Sequence, residues 1–200
     1  MSEKYYIVDL DGTLYYQTPV RVMMLGEILF YLLCHPLRWK EIFVVYKFRQ
    51  YYDKEQMIDI DTFSQNYNFD KDKVEKIIEE WMIRRPLKWI KFFADRKLIS
   101  LLKKRKFIVF SDYPTAEKLS ALNIKPLGQY FCDNINIKLH KPDPQGLEYI
   151  CKIHNLTPEN ICVIGDRFSH DGKCALKFGC EFVILSKNFI RRQFQYRNIK

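Results

Sequence analysis

The feature of this sequence that most constrains its fold is a set of three short apolar runs, each followed at once by polar residues. The runs cover residues 5–8, 107–110 and 161–164, and their length and composition are typical of buried strands. The residues that follow them are Asp9, Ser111 and Gly165-Asp166. Helical segments separate the runs, and such alternation predicts a parallel sheet with helices on both faces. Because ligands bind outside the carboxyl ends of such strands, we expect these polar residues to meet in one site.

The first run leads into Asp9-Leu10-Asp11-Gly12-Thr13, in which two carboxylates are separated by one residue. Side chains two residues apart in a strand point the same way, so Asp9 and Asp11 are predicted to face one pocket. Two neighbouring carboxylates repel each other, and burial disfavours their charged forms further. A divalent cation would relieve this repulsion and would let one carboxylate attack an electrophile.

Two further residues could hold an anion at this site. Ser111 ends the second run, and its hydroxyl together with the next backbone N–H, that of Asp112, can bind a phosphate oxygen at a strand-to-helix junction. Lys141 stands in the sequence His-Lys-Pro-Asp-Pro, where the two prolines stiffen the backbone and help to fix the direction of the ammonium group.

The third run leads to Asp166, and Asp171 follows five residues later. One of these acids can ligate a metal ion while the other supports it. Taken singly, Ser111 is typical of a helix cap, Lys141 of a solvated surface and Asp171 of a first helical turn. Their shared order and their places near predicted strand ends favour a single functional site instead.

These motifs resemble those of the haloacid dehalogenase (HAD) superfamily of phosphohydrolases. The segment 9–13 matches the first motif, Ser111 the second, Lys141 the third and the segment 165–171 the fourth. The resemblance covers residues 4–14 and about 105–186. The segment between them resembles the family only in its position, which is that of a helical cap inserted after the first strand. It implies an α/β fold with a Rossmann-like parallel sheet and a small all-helical cap domain. Residues 1–14 and 96–200 would form the core and residues 15–95 the cap.

With this resemblance, we interpret the chain as a Mg²⁺-dependent phosphatase of phosphate monoesters. Asp9 would be the nucleophile that forms an aspartyl phosphate, and Asp11 the general acid and then the base for water. The predicted phosphate-binding residues are Gly12, Ser111, Asp112 and Lys141. The predicted Mg²⁺ ligands are Asp9, the backbone carbonyl of Asp11, Asp166 and, directly or as a supporting group, Asp171.

Three other activities remain as alternatives. Dehalogenases of the superfamily resemble this chain at the nucleophile but lack the acid two residues later, so Asp11 argues against that chemistry. A phosphomutase acting on a sugar phosphate would use the same core and a similar cap. A non-catalytic module that binds a phosphorylated ligand is disfavoured because all four motifs are intact.

The apolar runs and the residues between them predict the remaining elements. Strands are expected near 5–9, 106–111, 130–134, 161–165 and 181–185, and core helices near 97–104, 114–122, 143–154 and 170–178. Asn155 and Gly179 fit the position just after a helix, where left-handed backbone is common. The insert is predicted to be helical at 18–52, with a break near His35-Pro36, and at 70–83 and 86–95. Asp70 is a candidate cap and Pro86 a candidate first-turn residue.

The segment from Val22 to Cys34 contains a single charged residue, Glu27, and is too short for an ordinary membrane span. Three interpretations are open. The helix could be buried within the cap, which we favour, it could line a pocket for a substrate with an apolar or lipid leaving group, or it could rest on a membrane surface.

The net charge is +9, and the excess of basic residues is spread along the chain except at the C-terminus, where residues 187–200 carry five basic side chains and no acid. Such a tail, with its interleaved aromatic residues, could contact an anionic membrane surface or nucleic acid. We favour a terminal helix that packs Phe189, Ile190 and Phe194 on the core, and we expect no nucleic-acid partner and a small phosphorylated substrate.

The six cysteines are scattered and form no C-x-x-C pair, which is typical of reduced thiols. The first residues show no signal-peptide pattern. Together these features predict a cytoplasmic protein.

Overall fold

The computed structural model describes residues 4–55, 59–132 and 140–199. Its centre is a sheet of five parallel strands in the order β3-β2-β1-β4-β5. The strands are β1 Tyr5–Val8, β2 Lys106–Ser111, β3 Gln129–Phe131, β4 Ile161–Gly165 and β5 Glu181–Ile184. The predicted α/β fold with a parallel sheet is confirmed. The third strand begins one residue earlier than predicted and ends at Phe131, so the predicted Cys132 is not part of it. Residues 133–134 of the predicted range lie outside the described residues.

Among the described residues, six α-helices lie between β1 and β2, and four follow β2 in the chain. The helices are α1 Gln17–Cys34, α2 Trp39–Glu55, α3 Ile60–Tyr67, α4 Lys71–Ile78, α5 Arg85–Phe92, α6 Arg96–Leu102, α7 Ala116–Leu122, α8 Gln145–His154, α9 Lys173–Phe178 and α10 Phe189–Gln195. Short 3₁₀ turns occupy Pro36–Arg38, Pro158–Asn160 and Tyr196–Asn198, and π-helical turns occupy Glu79–Arg84 and Phe168–Gly172.

Helices cover both faces of the sheet, as the alternation of side chains along each strand requires. On one face, Val8 and Val109 pack with leucines of α6 and α7. On the other face, Ile108 and Val163 pack with residues of α8 and α9. The three central strands, β1, β2 and β4, are thus buried on both sides, which explains why their sequences are almost continuously apolar.

Left-handed residues end several core helices. Asn155 and Gly179, with φ of 52° and 83°, follow α8 and α9 as predicted, and Asn123 ends α7 in the same way with φ of 54°. In this conformation the backbone N–H after the helix reaches its last free carbonyls. These caps turn the chain sharply into the strands that follow.

The insert between β1 and β2 is entirely helical in its described residues, as predicted. Its two ends meet in an isolated antiparallel bridge between Tyr15 and Ala94. Asp70 caps α4 by accepting from the backbone N–H of Lys73 at 3.0 Å, and Pro86 lies in the first turn of α5, both as predicted. The helix α3 was not predicted, and its Phe63 packs at the centre of the insert against α2 and α4.

The favoured interpretation of α1 as a buried helix is wrong. Among its residues only Val20 is buried, and Val22, Leu25, Leu29, Phe30 and Leu33 are exposed. This helix is long and apolar enough, by length and composition alone, to count as a candidate membrane span. Its inner side instead carries Glu27, which accepts from the indole N–H of Trp89 in α5 at 2.7 Å.

The favoured interpretation of the C-terminal helix is also wrong. Phe189, Ile190 and Phe194 are exposed on α10, whereas Arg192 is buried. Spacing alone could not determine which side of this short helix faces inward. The side with the charged residue packs on the core because Arg192 finds acceptors there.

Candidate active site

The predicted site residues converge at the carboxyl edge of the sheet. β1 lies between β2 and β4, so Asp9, Ser111 and Asp166 follow three adjacent strands. The backbone N–H of Asp9 extends the pairing by donating to the carbonyl of Ile164 at 2.8 Å. All three polar side chains are buried. Because a buried carboxylate needs partners, the neighbours of these residues define the chemistry of the site.

Lys141 links two of the acids. Its buried Nζ lies 2.6 Å from Oδ1 of Asp9 and 2.7 Å from Oδ1 of Asp171. The hydroxyl of Thr13 donates to the other oxygen of Asp9 at 3.1 Å, and the backbone N–H of Arg167 donates to Asp171 at 3.2 Å. The lysine predicted from its motif therefore neutralises charge at the centre of the acidic group.

The two acids that share Lys141 differ in their affinity for a proton. Burial raises the pKa of Asp9 to about 8, although the charge of Lys141 opposes this change. Burial acts in the same direction on Asp171, but Lys141 and the Arg167 N–H outweigh it and hold the pKa of Asp171 below its ordinary value. Burial also opposes the charge on Lys141, yet Asp171 and Asp9 raise the pKa of Lys141 well above its usual range.

Asp11 has a separate set of partners that the sequence did not reveal. Nζ of Lys118 in α7 lies 2.7 and 2.8 Å from its two carboxylate oxygens, and the hydroxyl of Tyr15 donates to Oδ1 at 2.6 Å. Burial opposes ionisation of Asp11, but Lys118 and Tyr15 outweigh it and lower the pKa of Asp11. The charge of Asp11 contributes in turn to the raised pKa of Asp9.

Asp9, Asp166 and Asp171 form the one group of potential metal ligands among the described residues. Each offers an oxygen, and these atoms lie within 4.8 Å of one another. Oδ1 of Asp166 is buried and has no hydrogen-bond partner. Burial raises the pKa of Asp166, and the charge of Asp171 raises it further. Three hard oxygen ligands, one of them unsatisfied, fit a cation such as Mg²⁺. The side chain of Asp11 is not in this group.

Two glycines allow the acids to approach the backbone closely. Gly12 has a φ of +91°, which favours glycine, and a Cβ there would lie 2.5 Å from Oδ2 of Asp166. A Cβ at Gly165 would lie 2.2 Å from Cγ of Asp171. Both motif glycines are therefore required by the packing of the acidic group.

The structure gives Ser111 and Asp112 additional positioning contacts. Oγ of Ser111 accepts from the backbone N–H of Tyr113 at 3.2 Å, and the carboxylate of Asp112 accepts from the backbone N–H of Lys141 at 3.1 Å. Tyr52 of α2 donates to the carbonyl of Asp112 at 3.2 Å and so connects the insert to the site. The predicted contacts of Gly12, Ser111 and Asp112 with a phosphate remain predictions.

A buried arginine holds the loop after Asp9. Nη1 of Arg192 donates to the carbonyl of Gly12 at 2.8 Å, and Nη2 donates to the carbonyl of Thr13. Its Nε lies 2.7 Å from Oδ2 of Asp95, which also accepts from the hydroxyl of Tyr196. The C-terminal helix thus fixes the backbone of the first motif, and no pattern in the sequence identified this role.

Comparison with known proteins agrees with this geometry. Residues 3–179 match the family model of the haloacid dehalogenase-like hydrolases. No curated protein matches the chain. The structure is similar to that of a 2-haloacid dehalogenase from Pseudomonas syringae, with a TM-score of 0.63 and 14% identity over 92% of this chain and 86% of that one.

Two further crystal structures share the fold. A HAD phosphatase from Thermococcus onnurineus has a TM-score of 0.57 and 14% identity, with 98% of this chain and 97% of that one covered. A HAD-hydrolase of Bacillus subtilis, bound to magnesium, has a TM-score of 0.56 and 13% identity, with 92% and 87% covered. At these identities the likeness extends to the fold, which hosts both dehalogenases and phosphatases.

Proposed function

The chain belongs to the haloacid dehalogenase-like hydrolases, and we propose that it hydrolyses phosphate monoesters through an aspartyl phosphate on Asp9. The observation that carries this proposal is the buried Asp11, held beside the nucleophile by Lys118 and Tyr15. An alkoxide is a strong base and needs a proton as it leaves, whereas a halide leaves without one. A second acid in the pocket therefore supports ester hydrolysis rather than dehalogenation.

The metal-binding proposal depends on the acidic group. Asp9, Asp166 and Asp171 would hold Mg²⁺, with the carbonyl of Asp11 as a further ligand. The bound ion would neutralise charge on the phosphoryl oxygens and favour the ionised form of Asp9. Oδ1 of Asp166 supports this assignment because it is buried without a hydrogen bond, and Nε of Arg167 approaches it only to 3.8 Å.

The proposed reaction has two steps. A carboxylate oxygen of Asp9 attacks phosphorus and the bond from phosphorus to the ester oxygen breaks. The protonated form of Asp11, a minor form in the free chain because Lys118 and Tyr15 lower its pKa, gives its proton to the leaving alkoxide. Asp11, now a carboxylate, takes a proton from water while that water attacks phosphorus, which releases inorganic phosphate and restores Asp9. Lys141 holds Asp9 in place and offsets negative charge throughout.

We also propose that residues 15–95 act as a cap that selects the leaving group. The bridge between Tyr15 and Ala94 joins the ends of this segment, and Tyr52 brings α2 to the loop after β2. A helical segment that reaches the site at two places is well placed to contact the part of the substrate beyond the phosphate. The cytoplasmic location predicted from the sequence is retained as part of this proposal.

Release of inorganic phosphate tests the proposal directly. The purified protein should hydrolyse p-nitrophenyl phosphate with Mg²⁺, stop in excess EDTA and recover when Mg²⁺ is restored. Ca²⁺ should support little turnover, because its looser coordination misplaces the phosphate. Full activity in excess chelator would contradict the metal assignment, and release of halide from a 2-haloacid without phosphatase activity would contradict the reaction. A strict requirement for a sugar bisphosphate would favour the mutase alternative.

A further inference from the structure

Helix α1 is amphipathic in the reverse of the usual sense. Its exposed apolar residues Val22, Leu25, Leu29 and Leu33 are spaced by three, four and four positions, so they form one stripe along the helix. Its one acid, Glu27, lies on the inner side with Trp89. A surface helix normally turns its apolar stripe to the core, so the outward stripe indicates contact with something outside the chain.

The stripe continues around the corner into α2. Leu33 and Leu37 at the corner are 82% and 91% exposed, which is extreme for leucine. Trp39, Phe43 and Tyr46 follow at helical spacing and are also exposed, while the buried side of α2 carries Val44 and Phe48. Exposed aromatic residues next to an apolar tip are typical of segments at the boundary between lipid and water.

The charges around this surface are predominantly positive. Residues 17–52 contain five basic residues and two acids. The basic residues are Arg21, Arg38, Lys40, Lys47 and Arg49. Both acids are engaged within the chain. Glu27 pairs with Lys88, and Glu41 accepts from the hydroxyl of Tyr31 at 2.7 Å and pairs with Arg38 at 2.8 Å, which engages one of the five basic residues as well. The rim of the apolar surface is therefore complementary to an anionic partner.

We propose that this protein docks on an anionic phospholipid membrane through its outer surface, defined as Val22, Leu25, Leu29, Leu33, Leu37 and Trp39. The apolar stripe enters the boundary of the acyl chains and the basic rim contacts the headgroups. A second copy of this chain is a poorer occupant, because two such surfaces would bring their basic rims together in a protein of net charge +9.

The helix docks on the membrane and does not cross it. Eighteen residues extend about 27 Å, slightly less than a bilayer core. Crossing would also separate Glu27 from Trp89 and Tyr31 from Glu41, and it would place a carboxylate in hydrocarbon. With the helix lying flat, these contacts stay intact and only the outer stripe meets lipid.

The C-terminal helix extends the docking surface toward the active site. The ring of Phe189 lies 5.8 Å from that of Tyr16, directly before α1 begins. Phe189, Ile190 and Phe194 are exposed beside Arg191 and Arg197, so this helix repeats the combination of apolar and basic residues. Docking would thus involve both ends of the chain around Tyr15, whose hydroxyl holds Asp11.

Co-sedimentation with vesicles tests the proposal. The full chain should bind vesicles of phosphatidylcholine mixed with phosphatidylglycerol, bind phosphatidylcholine alone more weakly, and dissociate as salt screens the headgroups. Leu33→Glu should lower binding about tenfold, and Leu33→Lys should lower it less because the new charge is attracted to the lipid. Trp39 should shift its fluorescence to shorter wavelength on binding.

The control is Leu176→Glu, which places the same charge at an exposed leucine of α9. It should leave binding unchanged, and thermal melts of the three variants should match the parent. If Leu33→Glu and Leu176→Glu weakened vesicle binding equally, the binding would depend only on the net charge of the protein, and the proposal would be overturned. Absence of binding to anionic vesicles would overturn it too, as would a concentration-dependent dimer that Leu33→Glu dissociates. None of these outcomes bears on phosphatase activity, which is measured with a soluble substrate.

Discussion

Most proteins bury apolar side chains and expose charged ones, and the sheet core and the helical insert depart from this rule in different ways. The core buries charge, including Asp9, Lys141, Asp171, Asp95 and Arg192. The insert exposes hydrocarbon along α1 and at the corner before α2. Buried charge and exposed apolar surface are the two departures from the norm that carry information. The comparison supports both proposals, the one that places the chemistry in the first region and the one that places a membrane contact in the second.

The buried charges of the core are stable only as a set. Lys141 serves two carboxylates, and Arg192 serves one carboxylate and two backbone carbonyls. Removing one member leaves another buried and unpaired, which is costly. On the outer stripe of α1, a single side chain can be changed without leaving a buried partner. The two regions should therefore respond differently to substitution.

The largest effect is expected at the nucleophile. Asp9→Asn keeps the shape of the side chain but removes the attacking carboxylate, so turnover should fall about ten-thousandfold or more. Steady-state phosphate release measures the loss, and a thermal melt verifies the fold. Substantial activity with an unchanged melt would remove Asp9 from the mechanism.

Asp11→Asn should have the next largest effect, and the loss should depend on the leaving group. For an alkyl phosphate we expect a fall of about a hundredfold to a thousandfold, the range for general acid catalysis. p-Nitrophenolate needs little protonation as it leaves, so the aryl phosphate should suffer less. Equal losses for both substrates would argue against the role of Asp11 as an acid.

Arg192→Met should mainly affect stability. It leaves Asp95 buried without its cation and frees the carbonyls of Gly12 and Thr13, so the free energy of unfolding should fall by about 3 kcal/mol. The neighbouring Arg191 is exposed, and Arg191→Met should change it by less than about 0.5 kcal/mol. Denaturant unfolding of both variants provides the comparison. Similar values would mean that the C-terminal helix does not hold the first motif.

The parts of the site that the sequence predicted were those set by local pattern. Asp9, Ser111 and Asp166 follow apolar strands, and the carboxyl ends of adjacent parallel strands meet at one edge of the sheet. Lys118 and Arg192 could not be found in this way, because each reaches the site from a helix about 100 or more residues from its partner. A helix of mixed composition does not reveal which side chain turns inward.

The prediction that α1 is buried was wrong for a related reason. Its apolar stripe was assigned to the inside because burial is the usual fate of such a stripe. The structure turns the helix by the contacts of Glu27 with Trp89 and of Tyr31 with Glu41. A single acid and a single tyrosine thus determined the orientation, and their partners lie elsewhere in the chain.

A smaller effect is expected at Lys118, which holds Asp11 ionised. Lys118→Met removes this charge, so burial should raise the pKa of Asp11. The base form of Asp11 would then be lost at a higher pH and its acid form would persist to a higher pH, so both limbs of the pH–kcat profile should move upward. Lys125→Met, at an exposed position, is the control. An unchanged profile would show that Lys118 does not set the ionisation of Asp11.

The smallest effect is expected in the insert, where the contrast with the core is sharpest. Leu29→Lys replaces one good helix former by another at an exposed position, so the free energy of unfolding should change by less than about 0.5 kcal/mol. Ile78→Ala, which removes buried methyl groups from the centre of the same insert, should cost about 2–5 kcal/mol. Denaturant unfolding of the two variants separates a helix whose apolar stripe packs inward from one whose stripe faces outward.

If Leu29→Lys lowered the free energy of unfolding as much as Ile78→Ala, the stripe would be packed against protein, and the insert would bury its apolar residues as the core does. A near-zero change would instead mean that Leu29 does not stabilise the isolated chain, which is the result that the docking proposal requires.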